Sequence, residues 1–178
     1  MDNYFTLLNM PESFALNLAA LEKTYFDLQR VHHPDRAVGK SEKERADAVM
    51  LAMRLNDAYD TLKNPLSRAE YMLGLHGIFI DDSTRPQPSL LMEIMELREQ
   101  MQEAAKNKTA LMPLINDTKK AMQQCTDGLE EAFDVADYDY ARTLTLRLNY
   151  LGKALEEALM LLYHARAAYE AEHEKHVH

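Results

Sequence analysis

The feature that most limits the possible folds is an apolar stripe with helical spacing in the last third of the chain. Its members recur at steps of three and four over three heptads: Ala141, Leu144, Leu148, Leu151, Leu155, Leu159 and Leu162. This period places the side chains on one face of an α-helix, which another element must cover. Only 5 Gly and 6 Pro occur among 178 residues. We therefore predict an all-α fold rather than a turn-rich β fold.

Two further helices are predicted before that stripe. One begins at Ser89, where a new stripe is formed by Leu90, Ile94, Leu97 and Met101. A longer one covers about residues 109–134, and Asp137 is placed to cap the last helix. Three helices with short connections predict an antiparallel three-helix bundle. We interpret the leucine stripe as the core of that bundle rather than as a coiled-coil seam for a partner.

Four shorter helices are predicted in the first 77 residues, at about 4–8, from 18 to near 33, from 42 to about 63, and at 66–75. Asn17 can cap the second, and Ser41 with Glu44 forms an S-x-x-E capping box for the third. Pro34 ends the second helix because proline disfavours α geometry at the preceding residue. The second helix has apolar residues at helical spacing, Leu18, Leu21, Tyr25, Leu28 and Val31. On the third helix one apolar face is marked by Ala46, Met50, Met53 and Leu62, with Leu55, Ala58 and Tyr59 beside it.

Helical periodicity is lost over residues 78–88, where Asp, Ser and Pro cluster. We therefore predict three parts, a domain at 1–77, a linker at 78–88 and a three-helix bundle at 89–178. Residues 1–77 hold 9 Lys and Arg against 11 Asp and Glu, a net charge of −2, and the rest hold 11 against 18, a net charge of −7. This asymmetry indicates that the two parts do different work.

The overall charge of −9 argues against a nucleic-acid-binding surface. No apolar run is long enough to span a membrane, and residues 1–10 do not have the pattern of a signal peptide. We expect a cytoplasmic protein. The single cysteine, Cys125, excludes a disulfide within the chain and a zinc site built on cysteines. No phosphate loop or nucleophile elbow is present, so we expect no enzyme activity, no cofactor and no bound metal.

The tripeptide His33-Pro34-Asp35 is predicted to lie in the loop between two facing helices. Pro34 fixes its own φ and removes a backbone donor, so the loop begins rigidly. His33 and Asp35 then project as a preorganised polar pair with little entropy to lose when a partner binds.

In this context the chain resembles a J-domain, and over nearly its whole length it resembles the HscB family, the J-protein co-chaperones of iron–sulfur cluster biogenesis. The second half carries part of the likeness, and ordinary J-proteins lack that half. The matching segments are Tyr4-Phe5-Thr6-Leu7, Phe26-Asp27-Leu28-Gln29-Arg30, His33-Pro34-Asp35-Arg36, Asn56-Asp57-Ala58-Tyr59, Thr61-Leu62, Pro65-Leu66, Arg68-Ala69-Glu70-Tyr71, Leu75-His76-Gly77, Leu91-Met92-Glu93 and Glu96-Leu97-Arg98-Glu99.

The resemblance implies an L-shaped, two-site adaptor. The J-domain would engage an ATP-dependent heat-shock chaperone of the HscA/DnaK type and stimulate its ATPase, through His33, Pro34 and Asp35 with help from Lys23 and Arg30. The bundle would bind the cluster scaffold protein, IscU. Its implied binding residues are Leu91, Met92, Met95, Glu96, Glu99, Glu103 and Tyr150. Met95 replaces the usual Leu, a volume-conserving change, and Tyr150 replaces the usual Phe.

Helix geometry alone places Leu91, Met92 and Met95 in a sector beside the three glutamates and away from the stripe that includes Ile94. An apolar patch with a charged rim suits a partner, although the same residues could belong to a wider core. Two other functions stay open. The chain could be a J-protein for a different client, or a structural helical protein in which His-Pro-Asp is accidental.

Overall fold

The computed structural model describes residues 3–81, 83–106 and 108–174, and this part of the chain is helical with no β-strand. The helices, in chain order, are α1 (Tyr4–Leu7), α2 (Leu18–His32), α3 (Glu42–Lys63), α4 (Pro65–Leu75), α5 (Pro88–Ala104), α6 (Lys108–Asp134) and α7 (Tyr138–Glu174). A short 3₁₀ helix, Pro34–Ala37, joins α2 to α3. The all-α prediction is confirmed.

The helix ends follow from local side-chain chemistry. The Asn17 side chain accepts a hydrogen bond at the start of α2, and Ser41 and Glu44 form both hydrogen bonds of a capping box at the start of α3. At the end of α4, Gly77 has a φ of +77°. The backbone N–H groups of Gly77 and Ile78 donate back to carbonyls of the last turn at 3.0 Å each, which is a Schellman motif. Helix α5 begins at Pro88, one residue earlier than predicted, because proline is favoured at the first helical position.

Helices α2 and α3 form a hairpin held by a polar and aromatic seam. The rings of Tyr25 and Tyr59 stack with centroids 4.2 Å apart, and the Tyr25 hydroxyl donates to Asn56 Oδ1 at 2.6 Å. Gln29 Nε2 donates to the same oxygen at 2.5 Å. The loop between α2 and α3 is therefore carried at the tip of a cross-linked hairpin.

Helices α5, α6 and α7 form the predicted bundle. Glu93 pairs with Arg147, and Arg98 pairs with Glu157, so α5 and α7 run in the same direction. Helix α6 is antiparallel to α7. Gly128, late in α6, lies beside Leu144, early in α7, whereas Met122, earlier in α6, lies beside Gly152, later in α7. Each helix is thus antiparallel to the next one in the chain.

One hydrophobic core continues from the hairpin into the bundle. Phe14, which is 2% exposed, stacks on Phe133 of α6 with centroids 5.6 Å apart. The Arg68 guanidinium lies 4.7 Å from the centroid of the Phe14 ring. His76, after α4, stacks on Tyr138 of α7 at 4.1 Å. A second, smaller core at the other end of the bundle contains Met101, Leu111, Ile115 and Ala158.

Several positions on the predicted apolar faces are exposed. The true core face of α3 carries Leu55, Ala58 and Leu62, and its opposite face is also apolar, so periodicity alone marked both. On α2 and α7 some members of the predicted stripes are exposed although other residues of the same helices, such as Leu21 and Ala158, are fully buried. The exposed positions are Leu18, Val31, Ala46, Met50, Met53 and Leu159, and the core interpretation of Leu159 is therefore wrong.

No helix in the described part of the chain is long and apolar enough to cross a membrane.

Candidate functional site

The His33-Pro34-Asp35 loop is preorganised by its own backbone. Helix α2 ends at His32, and His33 leaves it with extended geometry (φ −57°, ψ 134°). Pro34 then begins the 3₁₀ helix. The Asp35 backbone N–H donates to His33 Nδ1 at 3.2 Å, and Asp35 Oδ2 lies 3.5 Å from the same nitrogen. This leaves the other ring nitrogen, Nε2, as the outward-facing polar atom of the imidazole.

Both polar side chains of this loop are accessible to a partner. The side chain of His33 is 54% exposed and that of Asp35 is 88% exposed. Ala37, at the end of the 3₁₀ helix, is only 5% exposed and packs the turn against α3. The backbone of the loop is therefore packed against α3 while its two polar side chains are exposed to solvent. This arrangement limits the conformational entropy lost on binding.

Lys23 and Arg30 lie on one outward face of α2 that leads toward the loop. Lys23 Nζ lies 2.7 Å from Asp27 Oδ2, and Arg30 Nη2 lies 2.9 Å from Asp27 Oδ1. The hydrogen bond and charge of Lys23, with a smaller effect of Arg30, lower the pKa of the Asp27 carboxyl below its usual value. The face thus carries two well-exposed cations around one partly exposed anion.

Phe26 lies on the same face, and the sequence reasoning did not assign it to a site. Its ring is 58% exposed. Phe26 is three residues after Lys23 and four before Arg30, off the stripe of Leu21, Tyr25 and Leu28. That spacing was the available signal, because an apolar residue away from the core stripe of an amphipathic helix faces solvent.

The predicted client-binding residues of α5 share the side opposite the core. Leu91, Met92 and Met95 are 37%, 71% and 69% exposed, whereas Ile94 and Met101 are each 1% exposed. This exposure argues against a wider core for Met92 and Met95. The three glutamates are exposed on the same side. We call this surface the α5 face; it consists of Leu91, Met92, Met95, Glu96, Glu99 and Glu103.

Tyr150 is on α7 and is half-buried against the core. It lies between Arg147, which binds Glu93, and Glu157, which binds Arg98, and is therefore level with the middle of α5. Lys153 Nζ lies 5.8 Å from the centroid of its ring. Tyr150 is thus level with the α5 face along the bundle, and its ring is partly buried in the core.

Two ion pairs that the sequence reasoning missed hold α5 in this orientation. Arg147 binds Glu93 through both guanidinium nitrogens at 2.6 and 2.5 Å, and Arg98 binds Glu157 at 2.8 Å. They clamp the sides of α5 to α7. Cys125 lies close to Arg147 and is 2% exposed; burial raises the pKa of its thiol, which suits a packing role.

Among the described side chains, no group of three or more His, Cys, Asp or Glu residues is arranged to hold a metal ion.

Comparison with known proteins covers both the hairpin and the bundle. Residues 86–159 match the family described as the HSCB C-terminal oligomerisation domain. The chain is 38% identical over 160 residues to the co-chaperone protein HscB of Proteus mirabilis, covering 87% of this chain and 92% of that protein. It is 34% identical to the HscB homologue of Vibrio vulnificus, covering 87% and 94%.

Solved structures give the same result. Chaperone HscB from Vibrio cholerae superposes with a TM-score of 0.84 at 32% identity, covering 92% of this chain and 99% of that one. Human co-chaperone HscB gives 0.84 at 31% identity, covering 90% and 82%. The Jac1 co-chaperone of Saccharomyces cerevisiae gives 0.74 at 25% identity, covering 89% and 92%. This chain therefore belongs to the HscB family of co-chaperones.

Proposed function

We propose that this chain is a two-site adaptor in iron–sulfur cluster assembly. Its hairpin engages an ATP-dependent chaperone of the HscA/DnaK type and stimulates ATP hydrolysis, and its bundle holds an IscU-type scaffold protein and delivers it to that chaperone. Family membership supports this assignment. The observation that carries it is the His33 loop, an exposed and preorganised polar turn at the tip of a rigid hairpin.

The chaperone site combines a fixed centre with a charged approach. His33 and Asp35 are held on the 3₁₀ turn and have little conformational freedom to lose. Lys23 and Arg30 lie along α2 and add positive charge, which steers association with an acidic partner surface. The exposed Phe26 ring supplies apolar area within this face.

The scaffold site is a broader surface. Met92 and Met95 present flexible apolar side chains that adapt to a partner, and the glutamates of the α5 face form an acidic rim. Tyr150 adds a ring at the edge. An apolar centre with a charged rim is the usual anatomy of a protein–protein interface.

In this proposal the protein performs no chemistry itself, needs no cofactor and works in the cytoplasm. The net charge of −9 is consistent with protein partners rather than nucleic acid or an anionic membrane surface.

The chaperone site is tested with His33→Gln, assayed by steady-state ATPase activity of the purified chaperone. We expect stimulation to be lost while helical content and melting temperature stay unchanged, since His33 is exposed. His32→Gln, one residue earlier and also exposed, is the matched control and should retain stimulation. Full stimulation by the His33 variant would remove the J-domain assignment.

The scaffold site is tested with the double variant Leu91→Ala and Met92→Ala, assayed by calorimetric titration with purified scaffold protein. We expect binding to weaken by more than about 1 kcal/mol, as for interface anchors. The control is Met50→Ala with Met53→Ala, two methionines exposed on α3, which should leave affinity unchanged. If the variant instead unfolds the bundle, its residues are core and the site assignment is wrong.

A different client is the remaining alternative for the bundle. It would be indicated if the wild-type chain stimulates the chaperone ATPase in a manner that requires His33 but shows no binding to the scaffold protein. The same two assays therefore separate the two J-protein functions.

A further inference from the structure

A cavity of about 190 Å³ opens where the linker, the start of α5 and the first turns of α7 meet. Three arginines line it, Arg85 from the linker and Arg142 and Arg147 from α7. Among the described residues that line it, Glu93 is the one carboxylate, and both oxygens of Glu93 are engaged by Arg147. The cavity therefore has a net positive charge, in a chain whose overall charge is −9.

The two other arginines are available to a ligand. Within the described residues, neither Arg85 nor Arg142 forms an ion pair with a carboxylate. A guanidinium group is a planar fork of donors that matches the two oxygens of a carboxylate or the oxygens of a phosphate. Two guanidinium groups that line the same cavity therefore favour the binding of an oxyanion.

The cavity adjoins the α5 face. Ser89 lines the cavity, and Met92 follows three residues later on the same helix. Glu93 also lines it, and Glu96 follows three residues later. Residues three apart on a helix are neighbours on its surface. One partner seated on the α5 face therefore also lies over the cavity.

The charge along this surface changes sign from one end to the other. Arg85 and Arg142 lie at the amino end of α5, whereas Glu99 and Glu103 lie about three and four turns farther along. A client of uniform charge would be attracted at one end and repelled at the other. Charge complementarity thus requires a client with acidic groups toward the linker and basic groups toward the carboxyl end of α5.

We propose that the cavity is an oxyanion subsite of the client surface, which receives an Asp or Glu side chain of the same client protein that covers the α5 face. The subsite sets the direction in which the client lies along α5. This inference rests on the proposed function, because the client is the scaffold protein of that proposal.

The test is the double variant Arg85→Gln and Arg142→Gln, titrated with purified scaffold protein at low and at high salt. Arg147 is left intact because it binds Glu93. We expect affinity to fall on the order of tenfold at low salt, as for the loss of two solvent-accessible charge pairs. The difference from wild type should shrink in about 0.5 M salt, where such pairs are screened.

The matched control is Lys119→Gln with Lys120→Gln, an equal charge change at two exposed positions of α6. It should change affinity by less than about twofold. An equal loss in this control would show a general effect of net charge and would overturn the subsite. Arg85→Lys with Arg142→Lys keeps the charge, loses the fork and should give an intermediate loss.

Failure of the subsite is distinguishable from failure of the proposed function. If Leu91→Ala with Met92→Ala weakens scaffold binding and the arginine variant does not, the subsite is wrong and the client site stands. If the wild-type chain does not bind the scaffold protein at all, the proposed function fails and the subsite fails with it.

Discussion

The His33-Pro34-Asp35 loop and the α5 face achieve exposure in different ways. The loop is small and polar, and its shape comes from neighbouring residues. Pro34 fixes the backbone, and the Asp35 backbone N–H donates to His33 Nδ1 at 3.2 Å. The α5 face is broad and partly apolar, and it is turned outward only because Ile94 and Met101 are buried on the other side. A local site depends on a few bonds, whereas a helix face depends on the packing of the whole bundle.

The most severe test of this comparison is Phe14→Ala, because Phe14 joins the hairpin to the bundle through Phe133. Loss of a buried phenylalanine costs about 3–5 kcal/mol of unfolding free energy. We expect amide hydrogen exchange, followed by mass spectrometry, to accelerate both in α2–α3 and in α6–α7, since one core serves both.

Phe79→Ala, at a ring that is 74% exposed, is the control and should leave exchange nearly unchanged. Faster exchange confined to α2–α3 would show that the two regions are stable independently, and would contradict the shared core.

The next largest effect separates the two sides of α5. Ile94→Ala, at a residue that is 1% exposed, should lower the free energy of unfolding by about 2–5 kcal/mol. Met95→Ala, the adjacent residue at 69% exposed, should lower it by less than about 0.5 kcal/mol. Urea titration followed by circular dichroism measures both values, and similar losses would mean that Met95 belongs to the core.

The smallest expected effect concerns the helix that supports the loop. Ser41→Ala removes the hydroxyl that accepts from the Glu44 backbone N–H at 3.2 Å, and loss of such a cap costs about 1 kcal/mol of unfolding free energy. Chaperone stimulation should persist, because the cap lies at the other side of the loop from His33. Loss of stimulation without unfolding would show that the loop is less self-contained than we infer.

The capping box of Ser41 and Glu44 also predicts that the stability of the folded state depends on pH. Hydrogen bonds from the backbone N–H and hydroxyl of Ser41 lower the pKa of the Glu44 carboxyl below its usual 4.5. Ionised Glu44 therefore stabilises the folded state above that value, and this contribution is lost as the pH falls through the lowered folded pKa. The stability difference between wild type and Glu44→Gln, measured by thermal unfolding, should be present at neutral pH and shrink on acidification. A difference that persists at low pH would contradict this origin.

Much of the secondary structure was predictable because its causes are local. Asn17, Ser41 and Gly77 mark helix ends through hydrogen bonds or backbone geometry within one turn of themselves. The loop motif was predictable for the same reason. On α5 the sequence left two interpretations of Leu91, Met92 and Met95 open, an outward patch or a wider core, and the exposure of Met92 and Met95 in the structure favours the first.

On a helix with two apolar faces, the buried face could not be identified in this way. Met50 and Met53 repeat at helical spacing as regularly as Leu55 and Leu62 do, yet they are 63% and 59% exposed. The choice depends on where α1, α2 and α4 pack against α3. The division at residues 77 and 78 remains a prediction, although the hairpin and the bundle share one core.

The sequence by itself determined the helices, their caps and the polar loop, since each follows from contacts among residues within about one helical turn. Only the tertiary structure decided which apolar face is buried, that Arg147 clamps Glu93, and that Arg85 and Arg142 converge beside the α5 face. The Arg147–Glu93 pair joins residues 54 positions apart in the chain, and the α2–α3 hairpin joins Tyr25 to Asn56, 31 positions apart; long-range packing sets such distances.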